Sequence, residues 1–378
     1  MIGDVVGLWW ENITGPKMLV EEIAFHLSEG KNVVLQLDGR LPWQEQVRDL
    51  VMHQLERARL ALLEWEGGEE RSEIVPRLLK RLHRNELAAC PDDYEAQVAY
   101  LKNERVFGNM IVWLLPVEDK EQLSLVRFLS DYRGKDLEKH GAFVAEIAAE
   151  QYLPQLSGRT VVVRSKDYIR HGDLLLYANI LADSERKFPA EQKGYIACVA
   201  ANLAGKNAEL IPGILEEIDF ENENPADALF RLWEQGYITC PDVMPDRQEV
   251  DRRLWEAQLQ SAFAGIEIER LRITGEYTAD IEEAIRTEYW DSQKGKSGYI
   301  VQHGEELQGA SDVELGTLVR MMSLRRNDDK RQYLLYFPEE ELRDWIIFLT
   351  DCRNSLAHHK VCTPAQICRL MYYMKNSE

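Results

Sequence analysis

The feature that most constrains the fold is an apolar segment between two helical segments near the start of the chain. Asn32 to Leu37 (NVVLQL) predicts a buried strand and follows the end of a helix at Leu27 to Lys31. Asp38 to Gln44 (DGRLPWQ) predicts a loop, and Glu45 to Arg57 has the apolar spacing of an amphipathic helix. Because an all-apolar strand must be covered on both faces, this order predicts a parallel sheet between layers of helices.

Strand and helix signals continue to alternate over the first half of the chain. Two more apolar runs, Asn109 to Pro116 (NMIVWLLP) and Thr160 to Arg164 (TVVVR), predict strands. Segments with helical apolar spacing lie around them: Lys17 to Ser28, residues 45 to 65, Ser72 to Arg84, Asp119 to Tyr132 and Gly172 to Ala182. Such alternation is typical of an α/β fold.

From about residue 190 onward the pattern becomes helical. We expect an α/β domain at residues 1–185, a helical lid or linker at 186–246, and an all-helical bundle at 247–378. Within the bundle, Ser311 and Glu314 have the spacing of a capping box and predict the start of a helix.

Composition limits the classes of function. The 378 residues carry a net charge of −20, which opposes general binding to nucleic acid and favours basic protein partners. The chain has no run of 18 apolar residues and no secretory signal pattern, so we expect a cytoplasmic protein without a membrane partner. The six cysteines lack CxxC spacing. The cluster from Cys352 to Cys368 has no second close pair of ligands, so we expect buried thiols and no metal site.

The loop after the first strand lacks the residues that bind nucleotide phosphates. A Walker A motif has the form GxxxxGK[ST] between a strand and a helix, and its Lys and hydroxyl contact phosphate and Mg²⁺. Asp38 to Gln44 has a single glycine and is not followed by Lys-Ser or Lys-Thr. We therefore expect no ATP hydrolysis and no nucleotide cofactor, and assign no cofactor-binding residue.

The surrounding pattern nevertheless resembles a known class. Residues 17–183 resemble the core of the P-loop ATPases of the AAA+ and STAND class, with "NMIVWLLPV" in the position of the Walker B strand and "TVVVRS" in that of the sensor strand. The resemblance implies that Asp38 to Gln44 is the phosphate loop, where Arg40 alone suits a phosphate. Glu118 and Asp119 come later than the acidic residues of a Walker B motif should. The resemblance therefore implies a pseudo-ATPase.

A second pattern lies near the C-terminus, where Arg353-Asn354-Ser355-Leu356-Ala357-His358 follows an amphipathic stretch. Its form, RNxxxH among helices of residues 247–378, resembles the Rx4–6H signature of HEPN domains. That resemblance implies that Arg353, Asn354 and His358 are catalytic residues of a metal-independent ribonuclease, in which the Arg and His of two copies meet in a cleft. The chemistry suits them, because His transfers protons and Arg stabilises phosphate charge.

The same residues also suit a structural role. Asn354 can cap a helix, and Arg353 can pair with Asp351 or Glu340. His358 can close a helix C-terminus, where its cationic form is favoured. The sequence leaves both roles open.

Two smaller clusters have similar alternatives. The basic patch within Arg325 to Arg331 predicts a solvated loop, with an RNA contact as the alternative. Trp9 and Trp10 predict anchors on the domain surface, with a partner contact as the alternative.

These predictions lead to two main functions, and a third interpretation, a true but atypical ATPase, requires a phosphate site built from Arg40 and backbone alone. Chains of this make-up resemble components of bacterial conflict and phage-defence systems. The first function is therefore a non-hydrolysing scaffold or sensor subunit of a multi-protein defence complex, whose protein partner is an active ATPase or an effector. The alternative is a HEPN ribonuclease that acts on RNA as a homodimer and is regulated by its N-terminal domain.

Overall fold

The chain divides into two compact units. The computed structural model describes residues 4–55, 58–65, 71–116, 119–150, 153, 156, 158–238 and 245–375. The first unit comprises Met1–Tyr177, Ala204–Pro212 and Cys240–Val243. The second comprises Ala178–Leu203, Gly213–Thr239 and Met244–Glu378. The expected lid at 186–246 therefore contributes residues to both units, and the predicted three-domain division stays a prediction.

The first unit contains a five-stranded sheet in which all neighbours are parallel. Its strands are β1 (Asn32–Leu37), β2 (Arg59–Trp65), β3 (Met110–Pro116), β4 (Ala142–Ala148) and β5 (Thr160–Arg164), in the order β2-β3-β4-β1-β5. In β1, Val34 lies opposite Ala145 of β4 and Val162 of β5. The structure thus confirms the predicted α/β fold with a parallel sheet.

Two strands of this sheet were not predicted. Residues 59–65 were expected to continue a helix, but they form β2, an edge strand whose Leu60 and Leu62 are 37% and 47% exposed. Leu60 and Leu63, three positions apart, satisfy a helical period, while Leu60 and Leu62 satisfy that of a strand. The strand β4 (AFVAEIA) lies between β3 and β1, and its three alanines carry little strand propensity of their own.

Helices cover the sheet of the first unit. They are α1 (Val5–Gly7), α2 (Thr14–Ser28), α3 (Gln44–Gln54), α4 (Ile74–Leu82), α5 (Arg84–Leu87), α6 (Tyr94–Asn103), α7 (Asp119–Asp131), α8 (Leu137–His140), α9 (Ser165–Tyr168) and α10 (His171–Ser184), the last of which continues into the second unit. The core includes edge-to-face contacts of Phe143 with Phe107 and Phe128, at ring centroid distances of 5.3 and 5.2 Å. Trp9 and Trp10 lie in a π-helical turn and are 0% and 1% exposed, so both belong to the core.

The second unit is mainly helical. Its further helices are α11 (Lys193–Ala204), α12 (Leu210–Glu217), α13 (Pro225–Glu234), α14 (Arg247–Gln258), α15 (Ala264–Glu276), α16 (Thr278–Arg286), α17 (Leu315–Ser323), α18 (Glu340–Ala357) and α19 (Pro364–Lys375), with α11 and α12 reaching into residues of the first unit. No helix in the described part of the chain is long and apolar enough to cross a membrane.

The all-helical expectation for residues 247–378 is wrong between α16 and α18. This stretch forms short antiparallel strands: β6 (Tyr289–Asp291), β7 (Lys296–Gly298), β8 (Val301–Gln302), β9 (Glu305–Glu306) and β10 (Arg325–Arg326). The β6–β7 hairpin is fixed by the carboxylate of Asp291, which accepts two backbone N–H groups, and by Gly295 at φ 60°. The predicted capping box is also wrong, because Ser311 lies in a 3-10 turn and α17 begins after Glu314.

Candidate functional site

The C-terminal ends of the parallel strands are where a ligand-binding site is expected in this fold. Strand β1 lies between β4 and β5, whereas β2 and β3 lie on the far side of β4. The chain order therefore reverses direction across the sheet next to β1. In open α/β sheets, ligands bind outside the strand ends at such a switch point.

The loop that follows β1 is bonded to other parts of its own unit. The backbone N–H of Asp38 donates to the Ser165 hydroxyl at 3.0 Å, and the Asp38 carboxylate pairs with Lys206 Nζ at 2.7 Å. The backbone N–H of Trp43 donates to the carboxylate of Glu209. Trp43 has φ 45°, a left-handed conformation that is costly for a bulky residue, and α3 begins directly after it. A carboxylate of the chain itself therefore accepts the N–H group that directly precedes α3.

A buried polar cluster lies beside this loop and centres on Glu146 of β4. Its Oε1 accepts hydrogen bonds from Trp113 Nε1 at 2.6 Å and from Arg48 Nη2 at 3.1 Å. The amide of Gln44 donates to the other carboxylate oxygen. The side chains of Arg48 and Glu146 are only 11% and 9% exposed, so this ion pair is almost fully removed from water. The negative charge of the carboxylate is balanced by Arg48, and both of its oxygens accept hydrogen bonds from the protein.

Arg48, Glu146 and Glu209 were not predicted from the sequence. One signal was present: Glu146 is the single charged residue in an apolar heptapeptide, and a carboxylate in such a strand needs a partner. The partner itself was not visible, because Arg48 lies 98 residues away. Of the acids expected after the second predicted strand, Glu118 lies outside the described residues and Asp119 begins α7.

Two cavities flank the loop after β1. One, of about 380 Å³, lies at the ends of β1, β3 and β4 and includes Arg40, Gln122, Glu146 and Glu150 in its lining. The other, of about 200 Å³, lies on the β5 side and is lined by Arg40, Lys166, Arg170, His171 and Lys206 together with Asp38 and apolar side chains. The two cavities differ in charge, since the second is strongly basic.

In the second unit, the three residues of the RNxxxH pattern lie at the end of α18. Arg353 Nη2 pairs with Glu314 Oε2 at 3.3 Å, and its Nη1 donates to Asn354 Oδ1 at 3.4 Å. His358 is exposed and follows the last residue of the helix, and its backbone N–H donates to the carbonyl of Asn354 at 3.0 Å. Among the described residues, no hydrogen bond or ion pair joins the side chains of Arg353 and His358.

The structural alternatives for these residues also differ in detail from expectation. Arg353 pairs with Glu314, the residue before α17, instead of Asp351 or Glu340. Asn354 lies within the last turn of α18 and contributes its carbonyl to the helix end, while its side chain contacts Arg353.

A groove opens beside the neighbouring His359. This residue has φ 56°, and its ring lies 4.6 Å from that of Trp255, whose Nε1 donates to the carbonyl of Leu356 at 2.7 Å. The groove has a volume of about 830 Å³, and its lining includes Trp255, His359, Lys360, Arg247 and Arg252 but not His358.

The thiols of Cys352 and Cys362 lie against each other behind this motif. Both residues are buried, and the Cys362 thiol donates to the backbone carbonyl of Cys352 at 3.8 Å. The interaction between the two thiols raises the pKa of Cys352 and lowers that of Cys362. The amide of Gln258 holds the backbone of Cys362 in two hydrogen bonds, of 3.0 and 2.7 Å. The loop after α18 is therefore fixed onto α14. Across the described residues, no group of three or more His, Cys, Asp or Glu side chains is placed to hold a metal ion.

The basic side chains within Arg325 to Arg331 contact acidic and aromatic side chains of the second unit. Arg326 pairs with Glu283 at 2.7 Å and Asp328 at 3.2 Å. The Arg325 guanidinium lies 3.6 Å from the ring centroid of Tyr333, and Lys330 Nζ lies 3.9 Å from that of Trp290. These contacts are cation–π interactions that stabilise the loop.

Comparisons with known proteins place the chain in no family. No family model matches it, and no curated protein matches it. Among solved structures, it is similar to Saccharomyces cerevisiae RIF2, with a TM-score of 0.30 and 15% identity over 65% of this chain and 89% of that one. It is also similar to the Drosophila ORC bound to DNA, with a TM-score of 0.28 and 14% identity over 69% of this chain and 66% of that one. Likeness at this level supports no inference about function.

Proposed function

We propose that this protein has the fold of a P-loop ATPase of the AAA+ and STAND class but does not hydrolyse nucleotide, and that it is a scaffold or sensor subunit of a multi-protein bacterial defence complex. The five-stranded parallel sheet, with the chain reversing direction beside β1, supports the fold, because the resemblance implies a parallel sheet with its site at the end of the first strand.

The observation that carries the proposal is how the site beside β1 is occupied by the chain itself. Gln44 opens α3, where a Walker A motif has its Lys, and Gln44 and Arg48 both bond to Glu146. Glu209 accepts the N–H of Trp43. The site thus lacks the phosphate-binding Lys and Mg²⁺-binding hydroxyl, and Gln44, Arg48 and the N–H of Trp43 are already bonded to carboxylates of the chain.

A P-loop fold that has lost its hydrolytic activity still has surfaces that can bind other proteins. Function resides in sites carried by a fold, so a P-loop fold with an inactivated site remains available for assembly. The net charge of −20 favours partners with basic surfaces, such as an active ATPase or an effector subunit.

The first test is calorimetry with Mg-ATP, together with an assay of phosphate release. We expect no hydrolysis and a Kd weaker than about 1 mM. The double variant Gln44→Lys/Glu45→Thr supplies the missing Lys and hydroxyl, and we expect it to stay inactive because Glu146 and Glu209 still hold the site closed. Micromolar binding with turnover by the parent protein would refute the proposal.

The second test concerns assembly. The tagged chain, expressed in its source cells, should co-purify with a protein in fixed stoichiometry, and the two purified components should re-form the complex when mixed. A chain that stays monomeric with every protein encoded beside its gene would contradict the scaffold role.

A second candidate function is that of a HEPN ribonuclease. Two observations favour it: Arg353 contacts Asn354, and the exposed His358 has no side-chain partner among the described residues. In this proposal the catalytic cleft forms when a second copy brings its own Arg353 and His358 to the same face. The test is cleavage of RNA in EDTA that His358→Ala abolishes.

A further inference from the structure

The cavity on the β5 side of the loop is lined mainly by basic side chains. Its lining contains the side chains of Arg40, Lys166, Arg170 and Lys206, four cations, against the single carboxylate of Asp38. This grouping lies in a chain whose net charge is −20. Cations held around one concavity repel one another, and an anion bound between them removes that repulsion.

Three of these cations have no carboxylate partner. Lys206 pairs with Asp38 at 2.7 Å, but Arg40, Lys166 and Arg170 pair with no acidic side chain in the described part of the chain. The Arg170 guanidinium donates to the backbone carbonyl of Asp167 at 3.2 Å, while the backbone N–H of Arg170 donates to the Asp173 carboxylate at 2.8 Å.

Some arginines of the second unit are paired differently. Three of them pair with two carboxylates each: Arg247 with Asp227 and Asp251, Arg252 with Glu249 and Glu256, and Arg272 with Glu269 and Glu276. The four cations that line the cavity share the single carboxylate of Asp38.

A buried hydroxyl lies in the same lining. Ser165 is 3% exposed, and its oxygen accepts the N–H of Asp38. The hydroxyl hydrogen has no acceptor among the described residues. A donor left free in the wall of a cationic cavity is suited to a ligand oxygen.

We propose that this cavity binds the phosphoryl groups of a small anion. Guanidinium groups bond two phosphate oxygens at once, and lysine ammonium groups supply point charges. The volume of about 200 Å³ lies below the range of roughly 300 to 1,000 Å³ typical of drug-sized ligands. It therefore suits one or two phosphate units and not the base and ribose of a nucleotide. This site goes beyond the proposed scaffold role and does not depend on it.

The test uses pyrophosphate as the probe, with the full-length protein, calorimetry and thermal unfolding at matched ionic strength. Pyrophosphate should bind the parent protein and raise its Tm, and both effects should weaken as salt is added. Lys166→Ala and Arg170→Ala should each weaken binding about tenfold, which corresponds to about 1.4 kcal/mol. Both side chains are exposed, so both variants should fold.

The matched controls are Lys135→Ala and Arg133→Ala, which remove exposed cations of the same unit that do not line the cavity. They should bind pyrophosphate as the parent does. Equal losses in all four variants, or no binding at 10 times the concentration expected to saturate the site, would overturn the proposal.

Two further ligands identify the source of the phosphoryl groups. Inorganic phosphate that competes with pyrophosphate indicates a free anion as the ligand. Any Mg-ATP binding that is lost in Lys166→Ala indicates a nucleotide whose phosphates enter the basic cavity, whereas ATP binding that persists in Lys166→Ala indicates the loop beside Glu146. The last result bears on the proposed pseudo-ATPase and leaves the pyrophosphate result to decide the anion site.

Discussion

Glu146 makes more polar contacts than any other residue of the buried cluster beside β1. Only one of its partners carries a positive charge. Arg48 is the cation that neutralises it, while Trp113 and Gln44 supply neutral donors. Taking two charges out of water is costly, so such a pair is weak support for stability as a whole, but removal of one partner leaves the other charge buried.

We therefore predict that Arg48→Met lowers the free energy of unfolding by about 3 kcal/mol. Urea denaturation followed by circular dichroism measures this change. The control is Arg286→Met, which breaks an ion pair with Glu282 at 2.7 Å in which Arg286 is 74% exposed, and which should cost less than about 0.5 kcal/mol.

The double variant Arg48→Met/Glu146→Leu separates charge from packing. It removes both charges and leaves only neutral donors unpaired, so we expect it to be more stable than Arg48→Met alone. A single variant within about 0.5 kcal/mol of the parent would show that water reaches this pair.

At the scale of elements, the strands that are apolar throughout were predicted from the sequence, and the other strands were not. The strands β1, β3 and β5 were found because their residues are almost continuously apolar. The edge strand β2 is half exposed, and its leucines at 60, 62 and 63 fit a helix equally well. The hairpin at residues 289–298 depends on turn residues within a polar stretch, which carries no periodic signal.

The buried polar cluster lies beside the loop Asp38 to Gln44, which the sequence indicated as a candidate phosphate loop, and that assignment stays a prediction. The partners within the cluster come from distant parts of the chain: Glu146 is 98 residues from Arg48, and Glu209 is 166 residues from Trp43. Such pairings follow from the fold, and no local pattern encodes them.

The helix α14 gives a prediction about acid. Hydrogen bonds from Arg252 and Arg253 lower the pKa of Glu249 from 4.5 to about 2. A carboxylate with a depressed pKa stabilises the folded state fully above its unfolded value of 4.5, and this contribution is lost as the pH falls towards 2.

The variant Glu249→Gln isolates that contribution. The difference in urea midpoint between parent and variant should favour the parent at pH 6 and shrink between pH 4.5 and 2. Because Glu249 is partly exposed, solvent screening limits the size of the effect. A difference that is constant over this range would mean that the two arginine contacts do not persist in solution.

At the scale of the whole molecule, the charge distribution limits what the RNxxxH motif can do. A net charge of −20 repels RNA over distances set by ionic strength, and Arg353, the residue that must contact phosphate, is already paired with Glu314. A ribonuclease built on this chain has to overcome both effects, and a second copy doubles the opposing charge.

We therefore predict that the parent protein does not cleave RNA in EDTA at physiological salt.

We also predict that His358→Ala leaves the Tm unchanged, because its exposed side chain has no partner among the described residues. Arg353→Ala should lower stability by up to about 1 kcal/mol through loss of the half-exposed pair with Glu314. The control His359→Ala removes a ring packed on Trp255. It should lower the Tm and leave RNA cleavage as it is in the parent protein. Cleavage by the parent that is lost in both His358→Ala and Arg353→Ala, but kept in His359→Ala, would replace the scaffold proposal with the ribonuclease.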